Sequence, residues 1–193
     1  GQNNVQGGGD MGALPNKLVG FQDVEDDAIR AKFESAWGCT IPPKKGWHLT
    51  QMFEAMERRE LTCLYVLGEN PAQSEADSRR ATQLLSGLDF IVAQDIFLTK
   101  TAQLADVVLP ATAAWCESEG TVTNSERRVQ RVRRAVPPPS GARDDIEIVC
   151  ALSRRLGRDL GDPTPEQIWD EVRSLSPMHA GMSYRRLEER GGL

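Results

Sequence analysis

At 193 residues the chain is long enough for one solid core, or one core plus an appendage. Its 39 % hydrophobic and 26 % charged residues are ordinary for a globular protein, and a net charge of −5 argues against a dedicated nucleic-acid binder. The longest uncharged apolar stretches are about seven residues, far short of the roughly 20 that a membrane-spanning helix needs. The opening stretch GQNNVQGGGDMGALP has neither the basic nor the apolar region of a signal peptide, so a cytoplasmic location without membrane insertion is expected.

The chain opens at Gly1 rather than Met, which reads as a piece of a longer chain or a mature product. Residues 1–20 are rich in Gly, Asn and Gln without a periodic apolar face; such a segment is disordered, or ordered only by wrapping a ligand or another domain. Two helices follow. AIRAKFESAWG sets Ile29, Phe33 and Trp37 on one stripe and ends at Gly38, while LTQMFEAMERRE aligns Leu49, Met52, Phe53 and Met56, with Thr50 near its start.

Then the rhythm changes. Residues 61–68 (LTCLYVLG), 89–95 (DFIVAQD) and 105–110 (ADVVLP) are short continuous apolar runs, the pattern of strands buried on both faces of a parallel sheet. Between the first two, Ala81, Leu84, Leu85 and Leu88 recur at helical spacing; between the second and third lies a shorter helical turn, TKTAQLA. This is a βαβαβ unit whose crossovers are expected to be right-handed, which predicts an α/β fold with a Rossmann-like parallel sheet flanked by helices. Residues 111–140 form an irregular or hairpin-like excursion. DIEIVCALSRRLG places Ile148, Val149, Leu152 and Leu156 inward, with Gly157 as terminator, and the last helix opens on Thr164, Pro165 and Gln167, a capping box. The segments are accordingly 1–60, a pocket-lining stretch with helices; 61–157, a nucleotide-binding core; and 158–193, a helical extension.

In such folds the loops after the strands carry the ligand. LYVLGENPAQSEAD ends the first strand at Gly68, which permits close backbone approach; Asn70 offers donor and acceptor, Pro71 stiffens the turn, and Ser74 stands ready to cap the next helix. The alternative is an ordinary strand–turn–helix. Gln94 and Asp95 end the second strand, where a carboxylate accepts paired hydrogen bonds from ribose hydroxyls or a guanine edge, or only caps a turn. Neither a P-loop nor the usual glycine fingerprint of dinucleotide sites is present. The cysteines (Cys39, Cys63, Cys116, Cys150) are scattered and read as buried thiols; with His48 and His179 they suggest no metal site. Five arginines (Arg127, Arg128, Arg131, Arg133, Arg134) read as a salt-bridged strand or an interface with another domain rather than a nucleic-acid patch. Glu117 and Glu119 share a face if extended, without support for an acid/base pair.

Taken together, GQNNVQGGGDMGALP, LGENPAQSEAD, VAQDIFLTKTAQLADVVLPA and ESEGTVTNSERRVQ resemble the catalytic (alpha) subunit of molybdenum- or tungsten-dependent formate dehydrogenases. Those subunits belong to the molybdopterin oxidoreductase family of the dimethyl sulfoxide reductase type, and the likeness runs over nearly the whole chain. It implies the third, Rossmann-like domain of that fold, holding one of two molybdopterin guanine dinucleotides. By that resemblance Asn70, Ser74, Gln94, Asp95, Ala111 and Asp145 contact the dinucleotide, Gln2 lines the substrate pocket, and Gly7, Gly8 and Gly9 let backbone pass near the pterin.

The resemblance further implies a parent enzyme that oxidises formate to carbon dioxide at a molybdenum or tungsten centre, with a [4Fe–4S] cluster bound outside this segment. Its partners are the remaining domains of the subunit and electron-transfer subunits, not nucleic acid. The family's substrate arginine, metal-ligating cysteine or selenocysteine and active-site histidine match nothing in this chain, so the segment alone is expected to be inactive. Alternatives are another enzyme of the family such as a nitrate reductase, a non-catalytic scaffold like the large peripheral subunit of respiratory NADH dehydrogenase, or a free-standing nucleotide-binding module.

Overall fold

The computed structural model describes residues 4–193, and Gln2 lies outside them. In chain order the elements are helix α1 (Val5–Asp10), strands β1 (Lys17–Leu18) and β2 (Gln22–Asp23), and helices α2 (Asp27–Trp37) and α3 (Leu49–Glu57). Strand β3 (Cys63–Leu67), helices α4 (Pro71–Ser74) and α5 (Ser78–Ser86), strand β4 (Phe90–Asp95), a short 3-10 turn (Ala102–Leu104) and strand β5 (Val107–Pro110) follow. Strands β6 (Gly120–Thr123) and β7 (Val129–Val132) and helices α6 (Asp145–Arg155), α7 (Pro165–Leu175) and α8 (Tyr184–Arg190) complete the chain. They form two compact units that interleave in sequence: one of Leu49–Ala113 and Ala135–Asp162, the other of the described residues up to His48, Ala114–Arg134 and Pro163–Leu193.

The first of these units holds the sheet. Strands β3, β4 and β5 are adjacent and parallel, with Tyr65 opposite Val92 and Val92 opposite Val107. The three apolar runs read from the sequence are therefore strands, joined through α4–α5 and the 3-10 turn. Residues of one sheet face, Val66 and Ile91, are buried with Phe53 and Met56 of α3 and Ala81 and Leu85 of α5, which makes one continuous apolar core. Truncating Leu85 to alanine there costs about 2–5 kcal/mol by large-to-small precedent.

Burial on both faces, expected from the continuous apolar runs, is not what the chain achieves. Tyr65, Leu67, Phe90 and Val107 remain 42, 50, 45 and 39 % exposed on the opposite face. Helices α3 and α5 supply one layer on the other side, and α6 meets the sheet toward its carboxyl end, where Asp145 accepts from Gln94. For the same reason Val149 and Leu156, expected inward on α6, are exposed, while Ile148 and Cys150 are the buried pair. The thiols are likewise not all buried: Cys39 and Cys63 are exposed and Cys116 is intermediate. Leu49, expected on the inner face of α3, is half exposed; Ala55 is buried instead.

The other unit packs the β6–β7 hairpin against α7 and α8, with Val129, Trp169, Tyr184 and Leu187 as its core. Helix α7 opens as the sequence predicts: Gln167 N–H donates to Thr164 Oγ1 at 3.2 Å and Thr164 N–H to Gln167 Oε1 at 2.8 Å. Helix α2 ends on Gly38 in the left-handed conformation, φ 60°, where a Cβ would be strained. The arginine run is salt-bridged: Arg131 pairs with Glu119 and Glu188, and Arg133 with Glu188. The Arg131 guanidinium also lies 3.5 Å from the Tyr184 ring centroid. Helix α1 and the small β1–β2 ladder order a segment whose sequence has no periodic signal.

Candidate functional site

The carboxyl ends of β3, β4 and β5 lie at one edge of the sheet because the strands are parallel, and five of the six expected cofactor residues stand at those strand ends or just beyond them. After β3, Gly68 adopts φ 64°, with open space where a Cβ would stand, and its N–H donates to Gln94 O at 2.8 Å. A glycine there turns the chain sharply and leaves the backbone accessible from outside.

Asn70 faces inward with half of its amide. Its Oδ1 accepts from Thr101 N–H at 3.1 Å and from Thr101 Oγ1 at 2.9 Å, while Thr101 Oγ1 in turn accepts from Ala72 N–H at 3.0 Å. Thr101 is fully buried, so this three-way contact ties the loop after β3 to the loop after β4. Asn70 Nδ2 reaches only Gln73 Oε1, at 3.3 Å on the surface, and retains an N–H directed elsewhere. Ser74 is exposed and ends α4 rather than capping the next helix. That cap belongs to Asp77, whose carboxylate accepts from Arg80 N–H at 2.9 Å, because three residues after Ser74 the chain first turns helical again.

Gln94 and Asp145 are brought together, which their separation of 51 positions gave no means of reading. Gln94 is 1 % exposed; its Nε2 donates to Asp145 Oδ1 at 2.5 Å and its Oε1 accepts from the Tyr65 hydroxyl. Burial pushes the Asp145 carboxyl above the usual carboxylate range, with Asp144 beside it adding to the rise and the Gln94 amide acting against it. Burial also raises the Tyr65 phenol, and the neighbouring Asp145 charge raises it further. Tyr65 was not singled out in the sequence; its place two residues before the strand end was the available signal.

Asp95 uses one carboxylate oxygen to accept Phe97 N–H at 3.0 Å, an Asx turn that shapes the loop after β4. Among the described residues its other oxygen has no partner, so it can still accept from a hydroxyl or amine. Ala111 is buried just beyond β5; its N–H donates to Asp95 O at 3.1 Å and it bridges to Arg143 in parallel register. The edge thus offers an accessible glycine backbone, a half-used asparagine amide, a half-used carboxylate and a hydrogen-bonded aspartate of raised pKa. That set can hold a polar ring edge or ribose. It includes no nucleophile paired with a base, and among the described residues no cluster of three His, Cys, Asp or Glu side chains is arranged to hold a metal ion.

Comparisons with known proteins give the family and the fold. Residues 1–155 match the family described as Molybdopterin oxidoreductase. Over 192 residues the chain is 46 % identical to the alpha subunit of a formate dehydrogenase from Methanocaldococcus jannaschii, which covers 97 % of this chain and 28 % of that protein. A Bacillus subtilis protein carrying a provisional formate dehydrogenase name is 46 % identical over 188 residues, covering 97 % of this chain and 19 % of its own length. The chain therefore spans between a fifth and just over a quarter of these relatives. Among solved structures, acetylene hydratase from Pelobacter acetylenicus superposes with a TM-score of 0.56 at 21 % identity, over 86 % of this chain and 23 % of that one, a likeness of fold.

Proposed function

The chain belongs to the molybdopterin oxidoreductase family, and from that membership we propose that it is the guanine-dinucleotide-holding part of a formate dehydrogenase catalytic subunit. The observation that carries this reading is 46 % identity over 97 % of the chain to a formate dehydrogenase alpha subunit, joined to the polar edge at the carboxyl ends of β3–β5. The edge fits a nucleotide: Gly68 leaves its backbone open and Asp95 keeps one carboxylate oxygen for a hydroxyl or amine. Asp95, Asp145, the free N–H of Asn70 and the exposed Ser74 would hold the guanosine and phosphate end, and Ala111 would contribute backbone. Gln94, buried between Tyr65 and Asp145, would aim Asp145 rather than reach the ligand itself.

Gln2 would line the substrate pocket of the complete subunit. The bound cofactor, with molybdenum or tungsten, would supply the acceptor for the two electrons released when formate becomes carbon dioxide and a proton. This chain's own residues bind and orient; by themselves they are inactive. The remaining domains, a [4Fe–4S] cluster bound elsewhere and electron-transfer subunits would complete a cytoplasmic enzyme.

Calorimetric titration with GDP and with ADP tests the edge. GDP is expected to bind more tightly than ADP by about tenfold, roughly 1.4 kcal/mol, and Asp95→Ala should abolish that preference. Equal affinity for the two, or a preference that survives Asp95→Ala, would overturn the assignment of Asp95.

A further inference from the structure

Two sequence motifs that stand 110 or more positions apart, the glycine-rich opening and the Thr-Asn-Ser-Glu-Arg-Arg string, meet in the folded chain. Helix α1 is only six residues long, and four of its residues form the run Gly7-Gly8-Gly9-Asp10. Glycine is the poorest helix former after proline, so this helix has to be held from outside. Both of its ends are held by the β6–β7 hairpin.

At the amino end, Asn4 occupies the N-cap position but does not cap. Its Oδ1 instead accepts from Thr123 N–H, the last residue of β6, at 2.9 Å. To get there its side chain lies across Gly7, where a Cβ would stand 2.1 Å from Asn4 Oδ1. Gly7 is thus required by the anchor and not by the helix. At the carboxyl end, the Asp10 carboxylate is 1 % exposed. Its Oδ1 accepts from Gln6 Nε2 at 3.2 Å and from Arg127 Nη2 at 3.3 Å. Arg127 is the only cation paired with it among the described residues. Arg127 itself sits in the hairpin loop at φ 62°, a conformation that a non-glycine residue adopts at a cost. The loop is fixed around it by Asn124, whose Oδ1 accepts from Glu126 N–H at 2.9 Å and Arg128 N–H at 3.0 Å. Between the two anchors, Gly8 has nothing within 4 Å of where a Cβ would be, so that flank of the helix is open.

We propose that Arg127 and Asn4 are positioning residues: the hairpin grips α1 at Asp10 and at Asn4 and so fixes the open glycine flank, the part of this chain that the family resemblance sets beside the pterin. This rests on the cofactor-holding function proposed above. The physical reason for a grip at both ends is that a buried carboxylate left without its cation is strongly destabilising, whereas a glycine helix on its own has almost nothing to lose by fraying.

Arg127→Gly separates the side chain from the backbone, since glycine accepts a φ near 62° without strain and only the side chain is lost. Hydrogen exchange of the chain without cofactor should show the amides of Met11 and Ala13, which lie just past α1 and donate to Gly7 O and Gly8 O inside it, exchanging about tenfold faster or more. The β6–β7 amides should stay within about twofold, and Arg127→Lys should restore most of the protection. Asp10→Asn, nearly isosteric, should loosen α1 in the same way and serves if Arg127→Gly fails to fold. Unchanged exchange in α1, or equal loosening of hairpin and helix, would overturn the grip. In a full-length subunit, the pterin released after purification gives the second readout. Less pterin in Arg127→Gly than in the unsubstituted subunit supports the positioning role, and equal pterin with a loosened α1 overturns it. An unsubstituted subunit that holds no pterin would instead overturn the proposed function, leaving the exchange result standing.

Discussion

Gln94 shows how one buried side chain can join two others. Both ends of its amide are occupied, by the Tyr65 hydroxyl and by Asp145, a carboxyl that burial has pushed upward. Gln94→Ala would leave Asp145 without that donor. The loss should be about 1–3 kcal/mol of stability at pH near 7, read by urea unfolding. Because the neutral carboxyl does not need the donor, the deficit should be smaller at an acid pH where Asp145 is protonated, and the Asp145 pKa should rise further in a carboxyl NMR titration. A deficit that is the same at both pH values would show that Gln94 packs rather than bonds. Asp95 shows the complementary arrangement: one oxygen builds the turn and the other remains for a ligand.

Among the elements, the short helix after β3 changes how the ligand loop is assigned. Ser74 stands near enough to the next helix to be read as its cap, but α4 intervenes as a separate turn and Asp77 caps α5. Asp77→Ala should therefore cost about 1 kcal/mol in thermal or urea unfolding, whereas Ser74→Ala should change stability by less than about 0.5 kcal/mol. If Ser74 contacts the phosphate end of a nucleotide, its substitution should appear in ligand affinity and not in stability. The capping box of α7 is the opposite case, since Thr164, Pro165 and Gln167 are contiguous and their geometry follows from the sequence alone.

For the molecule as a whole, buried titratable groups set the pH range over which it is stable. His179 is 1 % exposed, its Nδ1 lies 2.7 Å from Ser176 Oγ, and its Nε2 has no partner. Burial lowers its pKa below the usual 6.5; the Asp10 charge opposes that shift and Arg127 reinforces it. The unfolded chain therefore binds a proton that the folded chain refuses, so stability is full above about pH 6.5 and falls as pH drops through the lowered folded value. On the alkaline side, burial pushes Tyr184 up to about 12 from 10.0, so its contribution is full below about pH 10 and is lost as pH rises toward 12. Urea midpoints across pH should decline on both sides, and His179→Gln should flatten the acid side alone. The exposed apolar sheet face, in a chain that spans 19–28 % of its relatives, is a second property of the whole. Parallel sheets elsewhere bury both faces, so the uncovered face marks where this chain's own helices stop.

The sequence by itself pointed to the strands, since three short apolar runs, too brief for helices of their own and separated by helical segments, fit a parallel ladder. It determined the α7 cap and the Gly38 terminator, and its motifs identified the family, because each of these lies within a few adjacent positions. Only the tertiary structure decided what long-range pairing controls. It joined Gln94 to Asp145 across 51 positions and Asn4 to Thr123 across 119. It left part of one sheet face uncovered, turned Val149 and Leu156 outward, and ordered a glycine-rich helix with no periodic signal of its own. Periodicity tells which residues would gain from burial; whether anything arrives to bury them depends on contacts between segments that local sequence does not encode.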